Sequence, residues 1–379
     1  MKPLLRGEDA RPGMLSADEV FRDVTGTDQT TAAAAGSDLS LRRKLLSPRT
    51  GLSFVVLAAI MLLLVTRFDI AWSETWETVR TINLGWYAAA VAVHYLTFVF
   101  RGARWRLLLA NAARGDEAPP PLPSVLGAGR IILMSWFVNS IAWFRMGDAY
   151  RAYVYSNDSG ASFARSAGTV LADRLIDLTV VVTLMGTGIA VLLIGGQVRP
   201  PLLLVLAAGA LLGAVAGALL VMRLTHRWVA PKLPARIGRA YRRFHEGTMG
   251  SFSRLPLVFG LGLAAWMCEV GRLFLVVNAL GLSVALGLVL FVPMANGLLS
   301  AIPLTPGGLG IVETGVSGLL QLELVVEAAL AVALVDRTIS YLSIILTGGA
   351  AFAARQLRSA SRAAAVPPSR ATAASRDEA

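Results

Sequence analysis

Long apolar runs separated by short polar segments dominate the sequence. Six of them are candidates for complete membrane spans, at residues 51–65, 84–100, 169–194, 201–222, 255–280 and 326–354. A helix needs about 20 mostly apolar residues to cross the hydrocarbon core of a bilayer. The pattern therefore predicts an all-α polytopic membrane protein with six full spans.

Two further apolar segments contain polar residues and helix breakers. The first, 124–155, is interrupted around Gly147, and the second, 284–322, is interrupted at one proline and three glycines: Pro306, Gly307, Gly308 and Gly310. Proline ends a helix, and glycine permits a positive φ. Non-helical backbone at membrane depth must be buried in protein or line a wet cavity, because lipid cannot satisfy its polar groups.

The distribution of basic residues decides how these two segments cross. The chain has 379 residues, of which 16% are charged, against roughly 25% in soluble domains. Its net charge of +11 comes from Lys and Arg beside the apolar runs, which indicates a cytoplasmic side rather than nucleic-acid binding. Eight simple crossings would place the basic 223–254 loop outside. We therefore expect two re-entrant helical hairpins among eight hydrophobic segments, with both termini cytoplasmic, in the cell (inner) membrane.

This order of spans and hairpins predicts an inverted repeat. The transmembrane domain would cover 51–355, with halves at about 51–195 and 201–354, between polar tails at 1–50 and 356–379 that we expect to be disordered. The first hairpin would open to the cytoplasm and the second to the outside. Inverted halves with broken helices are a transporter architecture.

Charged residues inside the apolar segments are the main functional candidates, because a charge at the bilayer centre costs a few kcal/mol and needs a partner or a cavity. Guanidinium groups fork onto phosphate oxygens, so four arginines are candidates for binding a lipid head group: Arg145, Arg151, Arg174 and Arg337. Six acids would pair with arginines or carry coupling protons: Asp148, Asp173, Asp177, Glu269, Glu313 and Asp336. The alternatives are ion pairs that only fix helix packing and, for 145–151, an ordinary cytoplasmic cap.

The segment 305–313, TPGGLGIVE, predicts a half-helix that begins just after Gly310. Its free N–H groups would face the break and favour an anion. Glu313 in the first turn suits the helix dipole, yet it would repel a phosphate brought close. A tight loop with a structural cap is the alternative, and the missing Gly-Lys-Ser/Thr ending argues against a nucleotide loop.

Three other features are assigned structural roles. The segment 101–106, RGARWR, ends the second span and is expected to be an interfacial anchor, with head-group contact as the lesser option. His94 is expected to be packed. Cys268 has no second cysteine to pair with, and three histidines with one cysteine argue against a His/Cys metal site, so neither a metal nor a cofactor is expected.

The motifs GDAYR (147–151), DRLIDL (173–178) and PGGLGIVE (306–313) together resemble the lysylphosphatidylglycerol synthase transmembrane region family, also called the flippase-like domain family. The resemblance covers about 51–355, and Asp173 stands where members often have Glu. It implies lipid translocation between leaflets. Well-known members fuse this region to a cytosolic aminoacyl transferase, and only the short tail 356–379 follows here, so we do not expect synthesis of lysyl-phosphatidylglycerol.

Three functions stay open. The first is a flippase for an anionic phospholipid or a polyprenyl- or hopanoid-type lipid, and it is favoured over an enzyme. The second is a membrane-embedded lipid or glycosyl transferase with Asp148, Asp173 or Glu313 as acid/base candidates. The third is a non-catalytic membrane partner that docks through the basic 223–254 loop. Membrane lipids are the expected partners, nucleic acid is not, and self-association is left open.

Overall fold

The computed structural model describes residues 72–142, 145–194, 233–300 and 306–364, with scattered positions between 206 and 224. All regular structure in these residues is helical. The span expected at 51–65 lies outside the described residues, and so does most of the span expected at 201–222. The tail 1–50 also lies outside them.

The helices alternate long, apolar elements with shorter ones. In chain order they are α1 (Trp72–Arg80), α2 (Leu84–Ala112), α3 (Val125–Ile141), α4 (Met146–Ser159), α5 (Phe163–Ile194), α6 (Ala235–Gly250), α7 (Leu255–Ala279), α8 (Leu286–Leu299), α9 (Ile311–Leu320), α10 (Val326–Arg337) and α11 (Ser343–Ala364). A π-helical turn, Thr338–Leu342, joins α10 to α11.

Within the described residues, three helices are long and apolar enough to cross a membrane: Phe163–Val191, Leu255–Ala279 and Val326–Ser359. A fourth crossing results if α1 and α2, which are bent by 86° at their junction, count as one span. The expectation of an all-α membrane protein is thereby confirmed. The full set of six spans and two re-entrant hairpins stays a prediction.

The first broken segment folds back on itself. The hydroxyl of Ser135 in α3 donates to the carbonyl of Gly147 in α4 at 2.7 Å, and the Gly147 N–H donates to Asn139 Oδ1 at 2.8 Å. A Cβ at Gly147 would lie 1.9 Å from the Ser135 carbonyl oxygen. Gly147 is therefore the residue that lets the two helices touch, and it lies inside α4 rather than at the break itself.

The outer ends of this first hairpin lie against the C-terminal half of α2. A Cβ at Gly102 would lie 2.4 Å from the carbonyl oxygen of Val125, the first residue of α3. The rings of Trp105 and Tyr155, which lies near the end of α4, are 5.9 Å apart. The segment 124–155 thus begins and ends beside the same part of α2.

The second broken segment forms a hairpin at the other end of α2. The N–H of Ala285, just before α8, donates to Glu323 Oε2 at 2.7 Å, which brings the beginning and end of the segment together. At the turn, Leu299 lies against Gly315. The preceding helix, α7, ends where Asn83 donates its N–H to the Ala279 carbonyl at 2.7 Å, just before α2 begins. The two hairpins therefore approach α2 from opposite ends.

Candidate functional site

A cavity of about 470 Å³ lies where the turns of the two hairpins come together. Arg145, in the turn of the first hairpin, donates to the carbonyl of Ser300 in the second at 3.4 Å. Tyr341, in the π-helical turn, donates its hydroxyl to the Ser140 carbonyl at 3.1 Å. π-helical turns are rare in proteins, and those that occur are often found at functional sites. Both broken segments and the irregular turn of the last span thus line one cavity.

The cavity wall has more arginines than acids. Five arginines line it: Arg101, Arg145, Arg174, Arg272 and Arg337. Three acids line it: Asp148, Asp177 and Glu269. Two of these arginines are also paired with acids outside the lining, Arg272 with Asp336 and Arg337 with Glu313. What the cavity offers an anion is therefore the guanidinium groups that stay partly exposed.

Arg174 and Asp148 form the first pair that faces the cavity. Arg174 donates to the two oxygens of Asp148 at 2.5 and 3.0 Å. Asp148 lies in the first turn of α4, and Arg145 lies 3.6 Å from the same carboxylate. The Arg145 and Arg174 side chains retain 33% and 26% exposure, so both guanidinium groups can reach a ligand.

Arg337 and Glu313 form the second pair that faces the cavity region. Arg337 donates to Glu313 at 2.6 Å and to the Gly307 carbonyl at 3.2 Å. The helix α9 begins at Ile311, directly after Gly310, as predicted from the sequence. Glu313 accepts the Gly310 N–H at 2.7 Å and so caps the helix that carries it. Its carboxylate occupies the N-terminus at which we expected an anion to bind.

The glycines of the second break have the conformation that the sequence predicted. Gly307, Gly308 and Gly310 have φ values of 62°, 70° and 82°. A residue with a side chain is strained at these positive φ values. In the first break the residue with a positive φ is Arg145, at 53°.

Asp173 lies deeper than the cavity and binds two arginines. Arg104 and Arg151 each approach it at 2.8 Å, and all three side chains are almost fully buried. The Arg151 guanidinium also lies 4.6 Å from the centre of the Trp105 ring. Arg151 was predicted to bind the head group, but it does not line the cavity, and its contacts are those of a structural ion pair.

Asp177 connects this buried pair to the cavity. It accepts from Arg101 at 3.1 Å and from the Trp266 indole N–H at 3.0 Å, and it lies 2.8 Å from Arg104. Arg101 also lies between two indole rings, with 5.1 Å to the centre of each. Arg174 lies 3.6 Å from it, so the Asp177 carboxylate is compensated by three guanidinium groups.

The expectation that 101–106 is an interfacial anchor is wrong. The helix α2 does not stop at residue 100 but continues to Ala112. Arg101, Arg104 and Trp105 are 4%, 0% and 0% exposed. Two buried aspartates on α5 need cationic partners, and these arginines, one helical turn apart, supply them.

A third ion cluster joins α2, α7 and α10. Arg272 donates to Asp336 at 2.7 Å, pairs with Glu269 one turn away, and donates to His94 Nδ1 at 3.1 Å. Because a guanidinium only donates, Nδ1 is the acceptor in this contact. His94 is packed as predicted, with 0% exposure, but it also holds a charged partner.

The structure brings most of the predicted residues to one region and adds two arginines. Arg145, Arg174, Asp148, Asp177 and Glu269 line the cavity together with Arg337 and Gly307. The residues missed by sequence reasoning as ionic partners are Arg101 and Arg104. Their signal was present, since the buried positions 94, 97, 101, 104 and 108 of α2 follow one helical face.

Across the described ranges, no three side chains of His, Cys, Asp or Glu are grouped so that they could hold a metal ion. No curated protein matches the chain in sequence. The model of the family described as lysylphosphatidylglycerol synthase TM region matches residues 51–348, which is most of the chain. The resemblance inferred from the three motifs is therefore confirmed, and the chain belongs to the lysylphosphatidylglycerol synthase TM region family.

Proposed function

We propose that this protein moves an anionic phospholipid, or a polyprenyl- or hopanoid-type lipid with an anionic head group, between the leaflets of the cell membrane. The observation that carries the proposal is the cavity between the hairpin turns, in which the side chains of Arg145, Arg174 and Arg337 stay partly exposed. Membership of the family supports a role in membrane lipid biology.

The arginines divide into two functional groups. Arg145, Arg174 and Arg337 keep part of their side chains exposed and would bind the phosphate of the head group. The deeper arginines are held by Asp173, Asp177 and Asp336 and would keep the helices in register around the cavity. In this scheme the head group passes through the cavity, while the acyl chains remain in the surrounding lipid.

Asp148 and Glu313 would regulate how strongly the lipid is held. Each carboxylate already neutralises one partly exposed arginine, so a phosphate must compete with it for the same guanidinium group. A binding site from which the lipid must leave again benefits from such competition, because a site that binds too tightly would trap the head group.

We further propose the topology that makes this cavity accessible from both sides. Six spans and two re-entrant hairpins would form inverted halves at about 51–195 and 201–354 within a domain covering 51–355. In this arrangement the two hairpins must approach α2 from opposite ends, as they do. Both termini and the basic 223–254 loop would be cytoplasmic, as their charges predict, and the protein would lie in the cell (inner) membrane.

Reconstitution tests the proposal. The purified chain is incorporated into liposomes that contain fluorescent phosphatidylglycerol or fluorescent phosphatidylcholine, and dithionite quenching of the outer leaflet reports transfer. We expect the protein to accelerate transfer of the anionic lipid well above that in empty vesicles, and more than it accelerates the zwitterionic lipid. Transfer no faster than in empty vesicles, for phosphatidylglycerol and for polyprenyl phosphate, would overturn the proposal.

A further inference from the structure

A second basic cavity lies at the C-terminal end of α2, away from the hairpin turns. Its volume is about 650 Å³, and none of its lining residues lines the central cavity. Five arginines and two acids line it: Arg114, Arg165, Arg239, Arg242, Arg243, Asp116 and Glu246. The lining therefore carries three more positive than negative charges.

The two acids are already occupied by one arginine. Arg165 pairs with Asp116 and donates to Glu246 at 2.9 Å, while Arg243 is 3.8 Å from Glu246. Arg114, Arg239 and Arg242 form no ion pair with any residue that the structure describes. The positive charge that remains is thus carried by exposed guanidinium groups around one concave surface.

Close packing of glycines fixes this surface. A Cβ at Gly168 in α5 would lie 2.2 Å from the Phe244 carbonyl, and a Cβ at Gly247 in α6 would lie 2.1 Å from the Arg165 carbonyl. The two helices therefore touch backbone to backbone. This contact orients α6 so that residues 239, 242 and 243, spaced by one helical turn, face the end of α2.

The position of the cavity indicates the level of lipid head groups. The helix α2 has 29 residues and is about 44 Å long, roughly 14 Å more than the hydrocarbon core. Asn111 and Ala112 in its last turn line the cavity. Leu255 and Leu257, at the start of the next helix, are 50% and 53% exposed, as residues that enter lipid are.

We propose that this second cavity binds the phosphate of an anionic phospholipid head group in the leaflet that faces α6. The lipid is held as a bound partner, separately from the lipid that crosses through the central cavity. Guanidinium forks suit phosphodiester oxygens, and the exposed leucines at the start of α7 suit acyl chains. Free inorganic phosphate shares the head group's chemistry but would gain nothing from the leucines.

Native mass spectrometry of the full chain in neutral detergent tests this site by counting bound lipids. The protein is titrated with phosphatidylglycerol, with phosphatidylcholine, and with phosphatidylglycerol in the presence of inorganic phosphate. Three variants are compared: Arg239→Gln/Arg242→Gln, the charge-matched control Arg236→Gln/Arg358→Gln, and the central-cavity variant Arg337→Gln. Arg236 and Arg358 are exposed and line neither cavity.

We expect Arg239→Gln/Arg242→Gln to weaken binding of one phosphatidylglycerol by roughly 30-fold, at about fivefold per arginine. The charge-matched control should stay within about twofold of the unsubstituted protein, and Arg337→Gln should retain this lipid. Equal weakening in the control, equal binding of phosphatidylcholine, or displacement by inorganic phosphate would each overturn the proposal. If lipid binding depends on Arg337 alone, the second site is overturned while the proposed transport function stands.

Discussion

Arg174 donates two hydrogen bonds to the carboxylate of Asp148. This pair joins α5, the span after the first hairpin, to the first turn of α4, the second helix of that hairpin. The second broken segment shows the same relationship, because Arg337 binds Glu313 in the first turn of α9. After both broken segments, an arginine of the following helix therefore holds an acid beside the break.

The residue before each of these arginines shows the same correspondence. Asp173 binds Arg104 of α2, and Asp336 binds Arg272 of α7. Each of these partners lies on the long helix that precedes a hairpin. Each Asp-Arg dipeptide thus connects three elements: its own helix, the preceding long helix and the hairpin between them.

A double-mutant cycle on Arg337→Gln and Glu313→Gln measures whether the pair beside the cavity stabilises the fold. We expect a coupling free energy of about 1–3 kcal/mol in unfolding experiments in detergent, because both groups are largely removed from water. The control is the exposed pair Arg80 and Glu77, which should couple by less than about 1 kcal/mol. Equal coupling in the two pairs would contradict the structural role assigned to Glu313.

Asp173→Asn should be strongly destabilising. It leaves Arg104 and Arg151 buried with a neutral partner, which costs about 3–5 kcal/mol of unfolding free energy. Asp158→Asn serves as the control, since its pair with Arg355 is 45% exposed on the Asp158 side and should change stability by about 1 kcal/mol or less. A small effect of Asp173→Asn would mean that water compensates the two arginines.

Gly147→Ala should separate α3 from α4. The added methyl group would overlap the Ser135 carbonyl, and overpacking of this kind costs about 1–3 kcal/mol. Gly186→Ala is the matched control, because a Cβ there meets no atom within 4 Å and alanine favours the helix. Thermal unfolding of both variants gives the comparison, and equal melting temperatures would contradict the close contact.

Much of the fold follows from the apolar pattern. The spans at 169–194 and 255–280 match α5 and α7 within a few residues at each end, because each run is continuous and ends at polar residues. The hairpin break was predictable because Gly307, Gly308 and Gly310 permit the positive φ values found there. The length of α2 could not be predicted from the sequence, because the arginines at 101, 104 and 106 resemble the basic residues that end a span.

The candidate site was predicted in composition but not in pairing. Asp173 and Asp177 were identified by their cost inside a span, yet nothing along the chain says that Arg104 lies between them. That pairing depends on the crossing of α2 and α5, which is set by tertiary packing. Arg151 shows the same limit, since the segment 145–151 resembles a cytoplasmic cap while its guanidinium is buried against Asp173.

The rate of phosphatidylglycerol transfer in liposomes by Arg174→Gln/Arg337→Gln tests the central claim most directly. Both arginines face the cavity, and the variant Arg236→Gln/Arg358→Gln removes the same charge from exposed positions outside it. At equal amounts of folded protein, we predict that the cavity variant transfers the anionic lipid at least about tenfold more slowly, which corresponds to about 1.4 kcal/mol. The exposed variant should stay within about twofold of the unsubstituted protein. Equal rates for the two variants would contradict transport through this cavity.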